Sequence, residues 1–209
     1  MTNICDSMSS LELYLLEVEE KYLDPHFGKI ESPSDYMFDV KSYCILCHAA
    51  FEEFIENICL ATLNELCENY IKLQRFSYST LCLLHFSSSA LNINDDTWND
   101  NQQLFDYFKN KINEVKQVYS KYIMRDNHGV RLKYLKKMLI PLGIDIPQDP
   151  IQQNSLLQLA DFRGGFAHTS KRVSKSLAPE DAKRYVNDIY GMMQNIATHA
   201  RHIHYYSIH

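Results

Sequence analysis

The sequence contains little glycine and little proline, six of each in 209 residues, and only one tryptophan. The prolines leave long intervals uninterrupted, whereas β-sandwiches and β-barrels need turn residues at short, regular spacing. Hydrophobic residues make up 45% of the chain and charged residues 22%, which is close to the average for globular proteins and excludes a disordered chain. We therefore expect one globular domain over residues 1–209 with an all-α fold.

The sequence also lacks an apolar run of the ~20 residues that a membrane-spanning helix requires. Its first residues include Asp6 and Glu12, where a signal peptide would carry positive charge. We expect a cytoplasmic protein that does not bind membranes. Its six cysteines would remain thiols there, because a reducing compartment disfavours disulfides.

Positive charge is scarce in the first half of the chain. Residues 1–107 carry 5 Lys or Arg and 18 Asp or Glu, a net charge of -13. Residues 108–209 carry 16 Lys or Arg and 8 Asp or Glu, a net charge of +8. Either the two halves face each other within the fold or across a dimer, or the basic half binds a polyanion.

Apolar spacing predicts an unusually long second helix. Ser34, after Pro33, is predicted as its N-cap, and the helix is expected to reach about Leu73, roughly ten turns later. Apolar residues follow one another at alternating intervals of four and three along this segment: Val40, Cys44, Cys47, Phe51, Phe54 and Ile58. Such a length is typical of the central helix of a bundle.

The same reasoning predicts shorter helices around this one. They are expected from Ser9 or Ser10 to about Asp24, and then over about 81–86, 101–124, 130–139, 151–167 and from Pro179 onward. Val118 is predicted to lie on the apolar face of the helix over 101–124. Residues 75–150 are interpreted as a helical insertion in the middle of the bundle.

The most specific motif is Arg163-Gly164-Gly165-Phe166-Ala167-His168, at the end of a predicted helix. An arginine and a histidine separated by four residues on the penultimate long helix resemble the signature of the HEPN superfamily, particularly its RiboL-PSP-type members. Ala49-Ala50-Phe51-Glu52-Glu53-Phe54 resembles the aromatic-Glu element on the second helix of that superfamily, whose buried glutamate lies near the arginine and histidine. The resemblance implies an all-α, single-domain HEPN-like bundle built on the long second helix.

The chemistry of these residue types fits what the resemblance implies. A histidine can transfer a proton near neutral pH, and an arginine can offset the charge that grows on a phosphate, so RNA cleavage needs neither a metal nor another cofactor. The predicted catalytic residues are Arg163, His168 and Glu52, with Glu52 orienting one of the other two. On a regular helix Arg163 and His168 differ in direction by about 140°, so their convergence requires a distorted helix end or a second protomer. The resemblance implies the second, a homodimer.

We therefore predict a metal-independent endoribonuclease of a prokaryotic defence or toxin system, with RNA as its substrate. Lys171, Arg172 and Lys175 follow the motif and are predicted to position the RNA backbone, although they could instead pair with the acidic half of the chain. Gly164 occupies a position that is usually polar in active relatives. The alternative function is accordingly a non-catalytic scaffold or regulatory subunit that binds a partner protein.

Cys44-Ile45-Leu46-Cys47-His48 also matches the C-x-x-C-H pattern for haem attachment. Both cysteines fill positions of the apolar pattern on the long helix, and haem attachment requires an exported protein. We reject a haem or zinc site there and interpret His48 as an ordinary residue on one face of the helix.

Overall fold

The computed structural model describes residues 2–86, 101–126, 129–168 and 176–206, and for residues 2–3, 164–168 and 204–206 it describes the backbone alone. These residues form seven α-helices and no strand, which confirms the all-α prediction. A π-helical turn, Tyr122–Asp126, continues the fourth helix. The helices are α1 (Thr2–Tyr22), α2 (Pro33–Leu73), α3 (Tyr78–Phe86), α4 (Asn101–Lys121), α5 (Leu132–Leu139), α6 (Pro150–His168) and α7 (Pro179–Tyr206).

Helix α2 begins two residues earlier than predicted. Ser32 is its N-cap and Pro33 its first helical residue, so the prediction of Ser34 as the cap is wrong. The proline has no backbone N–H to donate, and its fixed φ suits the first turn. The carboxylate of Asp35 accepts a hydrogen bond of 2.9 Å from the backbone N–H of Ser32, which closes this helix end.

Helix α2 is the central element of the bundle, as its length indicated. Its 41 residues span about 60 Å, and it contacts every one of the other six helices. The residues of its predicted apolar face are all buried: Val40, Cys44, Cys47, Phe51, Phe54 and Ile58. Buried side chains from all seven helices join them in one hydrophobic core.

Two details of the neighbouring helices differ from the predictions. Helix α1 begins at Thr2 rather than at Ser9 or Ser10, and its buried Ile4 extends the apolar side of the helix toward the N-terminus. Val118 was predicted on the apolar face of α4 but is 67% exposed and lines an open surface cavity. The core side of the helix continues through the neighbouring Tyr119, which packs against the core and donates a hydrogen bond to the backbone carbonyl of Met138, and then through Ile123 in the π-helical turn.

The acidic and basic halves of the chain meet within the bundle. Lys183 of α7 forms an ion pair with Glu19 of α1. Part of the charge asymmetry is therefore compensated inside the fold. No helix among the described ranges is both long enough and apolar enough to cross a bilayer.

Candidate active site

Glu52 lies near the middle of α2, one helical turn after His48. The side chain of His48 is 3% exposed and that of Glu52 is 22% exposed. The distance between His48 Nδ1 and Glu52 Oε2 is 3.9 Å, which is longer than a hydrogen bond. An imidazole and a carboxylate therefore lie side by side at the edge of the core without a direct hydrogen bond.

The chain before α5 closes over the imidazole of His48. Gly129 has a φ of 117°, in the left-handed region that favours glycine. A methyl group at Gly129 would lie 3.5 Å from Cε1 and 3.7 Å from Nε2 of His48. Gly129 thus packs against the edge of the ring that is formed by Cε1 and Nε2.

Two arginines lie close enough to affect the protonation of this ring. Burial, and then the positive charges of Arg163 and Arg131, together lower the pKa of His48 from its ordinary 6.5 to about 4. The nearby carboxylate of Glu52 does not reverse this effect. His48 is consequently a neutral imidazole at pH 7, near the carboxylate of Glu52 and within the electrostatic range of two guanidinium groups.

Arg131 reaches this region because it is held by the helix that carries Arg163. It is the N-cap residue of α5, and its guanidinium Nη2 donates a hydrogen bond of 2.6 Å to Asp161 Oδ1. Asp161 precedes Arg163 by two residues on α6. Because both partners are about half exposed, this pair adds little stability, but it connects the beginning of α5 to the last turns of α6.

Two of the three predicted catalytic residues affect the surroundings of His48. Glu52 of α2 lies 3.9 Å from its ring, and the half-buried Arg163 of α6 is near enough for its charge to lower the pKa of His48, although the two belong to motifs that are far apart in the sequence. His168 is the last residue of α6, and its side chain lies outside the described residues. The predicted RNA-binding residues Lys171, Arg172 and Lys175 also lie outside the described residues.

The helix that carries the Arg-x4-His motif is not broken at Gly164-Gly165. Helix α6 is α-helical from Pro150 through His168. Positions 163 and 168 of such a helix differ by about 140° around its axis. The backbone therefore does not form the distorted helix end that would let both positions of one chain face the same phosphate.

His48 is the residue of this site that the sequence reasoning missed. The C-x-x-C-H pattern drew attention to it, and the rejection of haem left it without a role. Cys44 and Cys47 are buried in the core, and no group of three or more metal-binding side chains occurs among the described residues. The sequence contained one signal for it: His48 stands one helical turn before Glu52, so the two side chains lie on the same side of the helix.

The comparison with protein families covers nearly the entire chain. The model of the RiboL-PSP-HEPN family matches residues 11–202, an interval that includes Glu52, Arg163 and His168. No curated protein and no solved structure shows significant similarity to the chain. With the helix order and both motifs inside the matched interval, the chain belongs to the RiboL-PSP-HEPN family, a branch of the HEPN superfamily.

Proposed function

We propose that this protein is a metal-independent endoribonuclease of a prokaryotic defence or toxin system. The observation that carries the proposal is that both motifs converge on one buried imidazole: Glu52 Oε2 of α2 lies 3.9 Å from Nδ1 of His48, and the charge of Arg163, the arginine of the Arg-x4-His motif, lowers the pKa of the same ring. In the proposal, the carboxylate at the edge of the core helps to keep this cation in place for a phosphate.

The proposed reaction is an internal displacement at one phosphate of single-stranded RNA. The 2'-oxygen forms a bond to the adjacent phosphorus while the bond from phosphorus to the 5'-oxygen breaks. His168 takes the proton of the 2'-hydroxyl or supplies the proton of the leaving 5'-oxygen, and Arg163 stabilises the negative charge on the phosphate. The products are a cyclic 2',3'-phosphate and a free 5'-hydroxyl. Glu52 limits the positions that Arg163 can adopt.

The proposed active form is a homodimer. Because α6 remains helical through His168, positions 163 and 168 of one chain point in different directions, and a two-fold axis would supply the missing partner of each. In this arrangement Arg163 of one protomer and His168 of the other act on the same phosphate. Lys171, Arg172 and Lys175 are proposed to bind the flanking phosphates.

One observation favours a second candidate function. Gly164 follows Arg163, at a position where a polar side chain would help to hold the phosphate. A chain that has lost this group could serve as a scaffold or regulatory subunit that binds a partner protein. The two functions differ in whether the purified protein cleaves RNA at all.

The first experiment measures cleavage of single-stranded RNA in EDTA by the wild type and by His168→Ala. If His168 transfers the proton, the variant should lose about a hundredfold or more in rate with a nearly unchanged melting temperature. His199→Ala is the matched control, because His199 lies on α7 and accepts a hydrogen bond from the backbone N–H of Asp145. A wild type that is inert on several RNAs, with or without a partner protein, supports the scaffold instead.

The second experiment tests the composite site by mixing two inactive variants. In a heterodimer of Arg163→Ala and His168→Ala, one of the two sites combines an intact arginine with an intact histidine. With free exchange of protomers, a 1:1 mixture should recover about a quarter of the wild-type rate. Light scattering at micromolar concentration should show a dimer for each variant. A monomer, or a mixture as inactive as its components, contradicts the composite site.

A further inference from the structure

We propose that the open cavity beside Val118 is a docking site for an acidic amphipathic helix of a partner protein. This cavity, the α4–α5 groove, has a volume of about 790 Å³. Its walls include Phe86 of α3, Val115, Val118 and Tyr122 from α4 and the turn after it, and Lys136 and Lys137 of α5. None of its lining residues belongs to the candidate active site, so the inference does not rest on the proposed function.

The first argument is that the groove is apolar and already formed. Val115, Val118 and Tyr122 follow one another at intervals of three and four, so they share one side of the helical segment. Beside them, the hydroxyl of Tyr119 donates a hydrogen bond of 2.5 Å to the backbone carbonyl of Met138, which connects α4 to α5. The two walls are therefore held together before a partner binds, which lowers the ordering cost of binding.

The second argument is that the groove is open. Val118 is 67% exposed and Phe86 is 53% exposed, although both side chains are apolar. Sites for small molecules bury most of the ligand, whereas a groove with such exposed walls covers one side of its occupant. An amphipathic helix has one apolar side to bury and one polar side that stays in water. The shape of the groove therefore favours a helix over a small apolar molecule.

The third argument is charge. Residues 109–139 carry nine Lys or Arg and two Asp or Glu, a net charge of +7. Lys136 and Lys137 line the groove, and neither forms an ion pair with another residue that the structure describes. Lys133 stands one helical turn before them and continues this basic side of α5. Asp145 also lines the groove, so the lining keeps an excess of one positive charge. Acidic side chains beside the apolar side of a helix complement this border.

A second copy of the chain is the competing occupant. Helix α1 is rich in glutamate, and its Leu13 and Leu16 are 69% and 57% exposed. Contact between α1 of one copy and the groove of the next is head-to-tail, however, and it builds an open filament unless the rotation closes a ring. Two grooves cannot face each other either, because their lysines repel. A separate partner protein avoids both difficulties.

The binding test uses fluorescence anisotropy with a labelled synthetic peptide of about 18 residues, long enough to form a helix. It carries leucine at every third or fourth position, with glutamate and alanine at the others. The wild type should bind it at least about tenfold more tightly than a scrambled peptide of equal composition, and added salt should weaken binding. Equal binding of the two peptides, or no binding at about 100 μM, overturns the proposal.

Two pairs of variants locate the binding. Val118→Asn should weaken binding about tenfold, whereas Leu13→Asn, at a side chain of similar exposure on α1, should not. The double variant Lys136→Gln/Lys137→Gln should also weaken binding about tenfold and reduce its salt dependence. Lys21→Gln/Arg184→Gln removes the same charge from α1 and α7 and should have little effect. Equal effects within either pair mean non-specific attraction and overturn the proposal. Melting temperatures should stay near that of the wild type, because all these residues are exposed.

The remaining measurements identify other occupants. If Val118→Asn and Leu16→Asn both dissociate an assembly seen by light scattering, a second copy fills the groove, and the proposal is overturned. Dodecanoate, vesicles of phosphatidylcholine and phosphatidylserine, or single-stranded RNA overturn it if they displace the peptide and bind Val118→Asn less tightly than the wild type. Val118→Asn should cleave RNA at the wild-type rate. Peptide binding requires no cleavage, so a wild type that is inert on RNA contradicts the proposed function alone.

Discussion

Lowering the pH below 6.5 should destabilise the protein through His48. In the unfolded chain this histidine takes up a proton at its ordinary pKa of 6.5, whereas in the folded chain burial, Arg163 and Arg131 lower the pKa to about 4. Below pH 6.5 the unfolded state therefore binds more protons than the folded state. The contribution of His48 to stability is fully present above pH 6.5 and is lost as the pH falls toward 4.

The magnitude follows from the distance between the two pKa values. Within this window each pH unit lowers the free energy of unfolding by about 1.4 kcal/mol. The loss amounts to about 2 kcal/mol at pH 5 and to about 3 kcal/mol below pH 4. A domain of ordinary stability, roughly 5 to 15 kcal/mol, would register such a loss clearly.

Urea unfolding at pH 7 and pH 5, at one fixed protein concentration, measures this effect. The comparison is with His48→Gln, whose amide does not titrate, so that contributions of all other groups cancel in the difference between the two proteins. From pH 7 to pH 5, the free energy of unfolding of the wild type should fall by about 2 kcal/mol more than that of His48→Gln.

A difference that stays constant from pH 7 to pH 5 would falsify the assignment of His48 as a buried neutral group. Titration of His26 does not mimic the effect. The hydrogen bond with Glu31, and then that with Asp39, raises the pKa of His26, so its contribution is present below pH 6.5 and is lost only as the pH rises through its folded pKa.

Three further substitutions test the backbone and the motif. Gly143→Ala should lower the free energy of unfolding by about 1 kcal/mol or more, because Gly143 has a φ of 75° and the added methyl would lie 2.6 Å from Ser79 Oγ. Gly28→Ala is the control, because Gly28 has a φ of 73° and open space around it, so that only backbone strain is added. It should lower the free energy of unfolding by less than Gly143→Ala. Equal urea midpoints for the two variants would contradict the steric contribution at Gly143. Gly164→Asn should raise the rate of RNA cleavage in EDTA if a polar group at that position helps to hold the phosphate, and an unchanged or lower rate contradicts that role.

The long helix could be predicted because its signals are local. Apolar residues recur at intervals of three and four from Val40 to Ile58, and the serine and proline at its start are residues that helices use to begin. Ser32 rather than Ser34 is the cap because Pro33 is the first residue of the helix. Such boundaries are decided by one hydrogen bond, which the residue pattern does not specify.

Val118 and His48 show what local patterns omit. The apolar spacing of α4 continues through Val118, but the side that faces the core carries Val115, Tyr119 and Ile123 instead. The environment of His48 depends on Gly129, which packs against its ring, and on the charges of Arg131 and Arg163, and all three belong to other parts of the chain. Glu52 and Arg163 could be associated from the sequence because a family motif connects them, whereas nothing in the residue order connects either of them with His48.

The position of Glu52 at the middle of α2 makes the site dependent on the whole bundle. About twenty residues of helix separate it from either end, so fraying does not reach it, and its amide should exchange with solvent only when the bundle opens globally. Arg163, in contrast, lies within the last two turns of α6. Substitutions of the buried apolar residues of α2 would then reduce cellular activity by lowering the amount of folded protein, with an unchanged rate for each molecule that remains folded. Substitutions that change specificity should therefore be tolerated better at the end of α6 than on α2.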